Sequence, residues 1–109
     1  FMLAGVVLTL APWLPVVVAG ITLVTLGFFA GHAVAGGWVG AMAGPDKGHA
    51  SALYLLFYYV GSSVLGWAGG AFWEGMGWAG VAGLSCATLL AGLLLALRIP
   101  EPERLRPVA

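Results

Sequence analysis

Residues 14 to 43 read LPVVVAGITLVTLGFFAGHAVAGGWVGAMA, thirty positions whose only ionisable side chain is His32. As an α-helix this run is roughly 45 Å long, against a hydrocarbon core of about 30 Å, so it spans a bilayer with tilt, kink or overhang. Pro15 falls in the first turn, where a missing N–H costs nothing. Outward from this run the pattern repeats. No fixed charge occurs before Asp46, and between Gly48 and Leu97 the only one is Glu74. Residues 50–70 and 77–97 therefore form two more spans of about 32 Å each. Charged residues make up 7% of the 109 positions and apolar ones 61%, where soluble domains carry about 25% charge. The expected fold class is all-α integral membrane, with the lipid bilayer as its main partner.

The connections agree. Ala11-Pro-Trp-Leu-Pro15 and Phe72-Trp-Glu-Gly-Met-Gly-Trp78 combine helix breakers with tryptophans, the composition of turns at the headgroup level. Gly44 to Gly48 ends the long helix and lacks the strand and the Gly-Lys-Ser/Thr ending of a phosphate loop. The first run, 1–10, is about 15 Å long, half a crossing. It has neither a basic flank nor a cleavage pattern, so it reads as the end of a helix in a chain cut at its N-terminus. Lys47, Arg98, Arg104 and Arg106 are all the Lys and Arg residues present. Two crossings separate Lys47 from the tail, so all four share one side. The positive-inside rule makes that side cytoplasmic, with residues 98–109 as a cytoplasmic tail and Glu74 solvated outside.

Net charge is zero with no basic block, which leaves no electrostatic case for nucleic acid. Cys86 stands alone among apolar residues and reads as a packing residue, and no ligand cluster calls for a metal or other cofactor. No paired carboxylates and no nucleophile with its base are present, so an enzyme is not expected. Small residues recur at four-residue spacing, as Gly27 and Gly31, Gly36 and Gly40, then Ser62, Gly66 and Gly70. That spacing predicts close helix packing.

Candidate pathway residues are few. His32 is costly in a membrane, and such a group faces protein or a water-filled cavity. It either handles substrate or protons, or sits as a neutral ring bonded to a neighbouring helix. Thr25 lies two turns earlier on the same face, with Phe28, Phe29 and Gly36 beside it. In the third span Ser51, Tyr54, Tyr58 and Ser62 form one stripe, and Tyr59, Ser63, Gly66 and Gly70 another. Hydroxyls and aromatic faces suit an amphipathic or cationic small molecule as substrate, while tyrosines near a helix end also serve as interfacial anchors. The fourth span offers only Ser85, Cys86 and Thr88 and reads as peripheral.

Three stretches, Gly27-Phe-Phe-Ala-Gly-His-Ala-Val-Ala-Gly-Gly-Trp-Val-Gly40, Lys47-Gly-His-Ala-Ser-Ala-Leu-Tyr-Leu-Leu-Phe-Tyr-Tyr-Val-Gly-Ser-Ser-Val-Leu-Gly66 and Gly77-Trp-Ala-Gly-Val81, resemble the C-terminal end of bacterial major facilitator superfamily transporters. The likeness is greatest to inner-membrane efflux permeases, and its Tyr-Tyr-x-Gly-Ser-Ser core is the specific part. The resemblance implies the end of helix nine and then helices ten, eleven and twelve of a twelve-helix bundle, the N-terminal remainder of the same transporter being the missing partner. It further implies proton-coupled efflux of a small organic solute by alternating access across the bacterial inner membrane. In that family helices ten and eleven border the central cavity, which agrees with where the polar residues lie. Two other readings compete: a four-helix multidrug exporter acting as a dimer, and an assembly subunit without transport. The first depends on a carboxylate in its first helix, and this chain has none there.

The topology is testable with single cysteines at positions 47 and 74, all others having been replaced. An impermeant thiol reagent added to intact cells should label position 74 and not position 47, and the opposite pattern would overturn the assignment.

Overall fold

The structure, a computed structural model, describes residues 1–100; the expected tail beyond them, with Arg104 and Arg106, lies outside the described residues. Every regular element in that stretch is helical. Helix α1 covers Met2–Leu8, α2 covers Leu14–Met42, a single 3₁₀ turn covers Gly44–Asp46, and α3 covers Lys47–Arg98. Helices α2 and α3 are long and apolar enough to cross a membrane.

Straight, the 52 residues of α3 would reach roughly 78 Å, yet the longest dimension of the molecule is 48 Å. The difference is resolved at Gly77, whose φ of 63° and ψ of −151° are non-helical. Only glycine occupies that region without strain. The chain turns back there, so α3 is two antiparallel limbs, 47–76 and 78–98. They meet closely: a Cβ on Gly80 would lie 2.7 Å from the Phe72 carbonyl oxygen. Trp73 and Trp78 flank the reversal edge to face, with centroids 6.4 Å apart. The expected seven-residue turn from Phe72 to Trp78 is thus helical to Met76, with the reversal concentrated at one glycine. The third span also begins earlier than position 50, at Lys47.

Helix α1 lies antiparallel on the first half of α2. Cβ atoms added to Gly5 or Gly20 would come 2.6 Å from the other residue's carbonyl oxygen, so the two backbones touch. Of the glycines expected to pack helices, Gly27 has such a neighbour, the Met2 side chain, whereas Gly31, Gly36, Gly40, Gly66 and Gly70 have nothing within 4 Å of an added Cβ. The close approaches fall at Gly5–Gly20 and Gly80 instead. A four-residue repeat marks one helix face and does not identify which face meets another.

Little is buried. Val6 and Ala82 are the buried apolar side chains among the described residues and Thr9 the buried polar one, while Phe57, Trp67 and Leu97 are 72%, 79% and 74% exposed. A surface this apolar needs lipid or protein around it. Among the described residues two side-chain hydrogen bonds join the elements: Trp78 Nε1–H donates to Thr9 Oγ1 at 3.0 Å, and Tyr54 Oη lies 2.9 Å from His32 Nδ1.

Gly77→Ala should destabilise the detergent-solubilised protein by about 1–3 kcal/mol, the cost of a non-glycine residue in that conformation. Gly75→Ala, two positions away in regular helix, should change thermal unfolding by less than about 0.5 kcal/mol. Equal effects of the two would contradict the single-residue reversal.

Candidate functional site

Phe28 and His32 are four residues apart on α2, and Tyr54 and Tyr58 four apart on the first limb of α3, so each pair shares one helix face. The helices run antiparallel, which sets the pairs opposite each other. His32 stacks on Phe28 with centroids 5.6 Å apart and planes 19° from parallel. Its centroid is 5.4 Å from that of Tyr54 and 5.2 Å from that of Tyr58. Phe28 and Tyr58 close the group at 6.1 Å. The imidazole is therefore ringed by three aromatic side chains from two helices, and it is half-buried.

The 2.9 Å contact between Tyr54 Oη and His32 Nδ1 is the sole side-chain hydrogen bond of His32 among the described residues. With the imidazole proton on Nε2, the Tyr54 hydroxyl donates to Nδ1; a protonated ring donates from Nδ1 to the tyrosine oxygen instead. In the other neutral tautomer, with the proton on Nδ1, the ring donates to the tyrosine oxygen and the Nε2 lone pair is left free. The imidazole stacks on the Phe28 face, while the Tyr58 ring meets it at 55°. By helix rise, His32 is about 27 Å from Leu14 and about 15 Å from Met42, in the half of the span nearer Lys47.

The other expected pathway residues divide. Tyr58 belongs to the cluster, and Tyr59 packs edge-on against it at 5.2 Å but is 64% exposed. Ser62 donates its proton to the Tyr58 carbonyl at 2.8 Å and lies on an exposed surface. Thr25 donates to the Ile21 carbonyl at 2.9 Å and lines a different cavity, with Thr9, Trp78 and Ser85. Tyr54, readable from the sequence as an anchor as well as a lining residue, makes the bond to His32. Thr9 was not legible: its partner Trp78 is 69 positions away, and no local spacing links them. Among the described residues no three His, Cys, Asp or Glu side chains converge as a metal site.

The chain is 50% identical over 93 residues to an uncharacterised MFS-type transporter, YybF, of Bacillus subtilis. It is 48% identical over 73 residues to the inner membrane transport protein YnfM of Escherichia coli. An uncharacterised transporter of Buchnera aphidicola is 36% identical over 100 residues. The chain belongs to the MFS-type transporter family. Those matches cover 85%, 67% and 92% of this chain but 23%, 18% and 24% of the relatives, so the chain spans about a quarter or less of the length of the curated relatives it matches. No protein-family model matches the chain, and no solved structure does. Family membership together with the apolar α2 and α3 gives a membrane location, and the relatives' names as transporters point to a non-enzyme.

Proposed function

We propose that this chain is the C-terminal part of a secondary transporter, the end of helix nine followed by helices ten to twelve, and that the whole protein exports a small organic solute in exchange for protons by alternating access. On this reading α1 is the end of helix nine, α2 is helix ten, and the two limbs of α3 are helices eleven and twelve. The Lys47 loop faces the cytoplasm and the membrane is the bacterial inner membrane. The observation that carries the proposal is the His32 cluster: in a chain related to transporters, the one ionisable residue of a 29-residue apolar helix is held by a hydroxyl and three rings from two helices.

The chemistry follows from those parts. Histidine exchanges protons in the range between pH 5 and 8. With its Nδ1–H donated to the Tyr54 oxygen, the ring keeps Nε2 as the atom that gains and loses the proton. The cluster's aromatic faces and hydroxyls also suit the apolar body and polar ends of an organic solute. A residue that alternates between proton and solute in this way couples the two fluxes, provided that the rest of the transporter supplies the second half of the pathway.

The test uses the full-length transporter in proteoliposomes. His32→Gln keeps hydrogen-bonding capacity but takes up no proton in this range. It should abolish efflux driven by a pH gradient while leaving exchange of solute for solute, and Tyr54→Phe should weaken gradient-driven efflux without abolishing it. Normal efflux by His32→Gln across the whole pH range would refute proton coupling through this residue.

A further inference from the structure

A second polar place runs inward from where the 9–13 connection meets the reversal at Gly77. A cavity of about 180 Å³ is bounded by apolar residues such as Val6 and Ile21, and three hydroxyl residues from three elements line it: Thr9 after α1, Thr25 on α2 and Ser85 on the second limb of α3, with the Trp78 indole beside them. Each of these groups has spent its proton. Thr9 Oγ1 donates to the Val6 carbonyl at 2.6 Å, Thr25 to the Ile21 carbonyl at 2.9 Å and Ser85 to the Val81 carbonyl at 2.9 Å. Trp78 Nε1–H donates to Thr9 at 3.0 Å. A hydroxyl has one proton and two lone pairs, so Thr25 and Ser85 keep both acceptor positions and Thr9 keeps one. The side chains around this cavity therefore offer acceptors and no unspent proton.

We propose that this cavity is a binding subsite for a small neutral molecule that carries a hydrogen-bond donor on a short aliphatic body, with Thr25 and Ser85 receiving the donor and Val6 and Ile21 packing the body. Size sets the scale: at ~30 Å³ for each water-sized group, the cavity takes about six non-hydrogen atoms. Charge sets the class. No carboxylate lines the cavity, so an ammonium ion would lose its hydration without a counter-charge, whereas a hydroxyl or amide N–H loses little. The discrimination is one-sided: a ligand with acceptors alone meets only lone pairs and gains no hydrogen bond. The subsite is separate from the His32 cluster and stands or falls independently of proton coupling there.

Trp78 is a built-in reporter, because its indole N–H is bonded to a hydroxyl of the cavity. The full-length transporter, labelled with ¹⁵N-tryptophan and held in nanodiscs, is titrated with 1-butanol and separately with its isomer methyl propyl ether, which lacks a donor. The Trp78 signal is assigned by its loss in Trp78→Phe. Saturable displacement of that signal by 1-butanol is expected, with at least about fivefold weaker binding of the ether, the value of one net hydrogen bond. Thr25→Val and Ser85→Ala together, which remove the lone pairs with little change of shape, should weaken 1-butanol about fivefold and abolish the preference over the ether, while the remaining indole signals stay in place as evidence of folding. No saturable displacement, equal displacement by alcohol and ether, or an unchanged preference in the double variant would overturn the proposal.

Discussion

Lipid offers no hydrogen bonds, and most of this structure follows from that constraint. Inside a bilayer every backbone N–H and C=O must be satisfied by the chain itself, which leaves the helix as the only local solution. The described residues accordingly form helices joined by the shortest possible interruptions: a connection at 9–13, one 3₁₀ turn at Gly44–Asp46, and a reversal at the single residue Gly77. The same constraint disciplines the side chains. Thr22, Thr25, Ser62, Ser63, Ser85 and Thr88 each donate to a carbonyl four residues earlier on their own helix. Groups that cannot be satisfied locally have to find a partner across a helix boundary. His32 does so with Tyr54, and Trp78 with Thr9.

These two cross-helix bonds divide the molecule into two chemically different places. Around His32 the polar group is titratable and its surroundings are aromatic faces, which tolerate a cation. Around Thr9 the polar groups are neutral hydroxyls whose protons are committed, which favours a neutral donor. His32 lies on the Lys47 side and Thr9 beside the Gly77 reversal, while Thr25 of the second place is only about 10 Å from His32 along α2.

Much of this was legible in the sequence, for definite reasons. The span at 14–43 could be read because charge is absent over a length that only a bilayer requires, and the observed helix, Leu14–Met42, ends one residue short of that reading. His32 stood out because an ionisable group is expensive in lipid. The family likeness was carried by specific residues around Tyr58 and Tyr59, and a relative 50% identical is named an MFS-type transporter. What could not be read depends on distance in space. The contact of Gly5 with Gly20 joins two helices whose relative rotation no one-helix pattern encodes, and the same holds for Thr9 with Trp78. The position of the last reversal was blurred for another reason: tryptophan, glycine and glutamate at 72–78 mark an interface, but only the left-handed backbone of Gly77 says which residue turns.

The central claim is that the His32 cluster borders a water-accessible solute pathway and is not sealed packing between helices. The most direct measurement is the reaction of a single cysteine at position 58, in the full-length transporter in native membranes, with a small, charged, water-soluble thiol reagent. The account predicts rapid modification, slowed when transported solute is present. Modification by lipid-soluble reagents alone, with no response to solute, would contradict it.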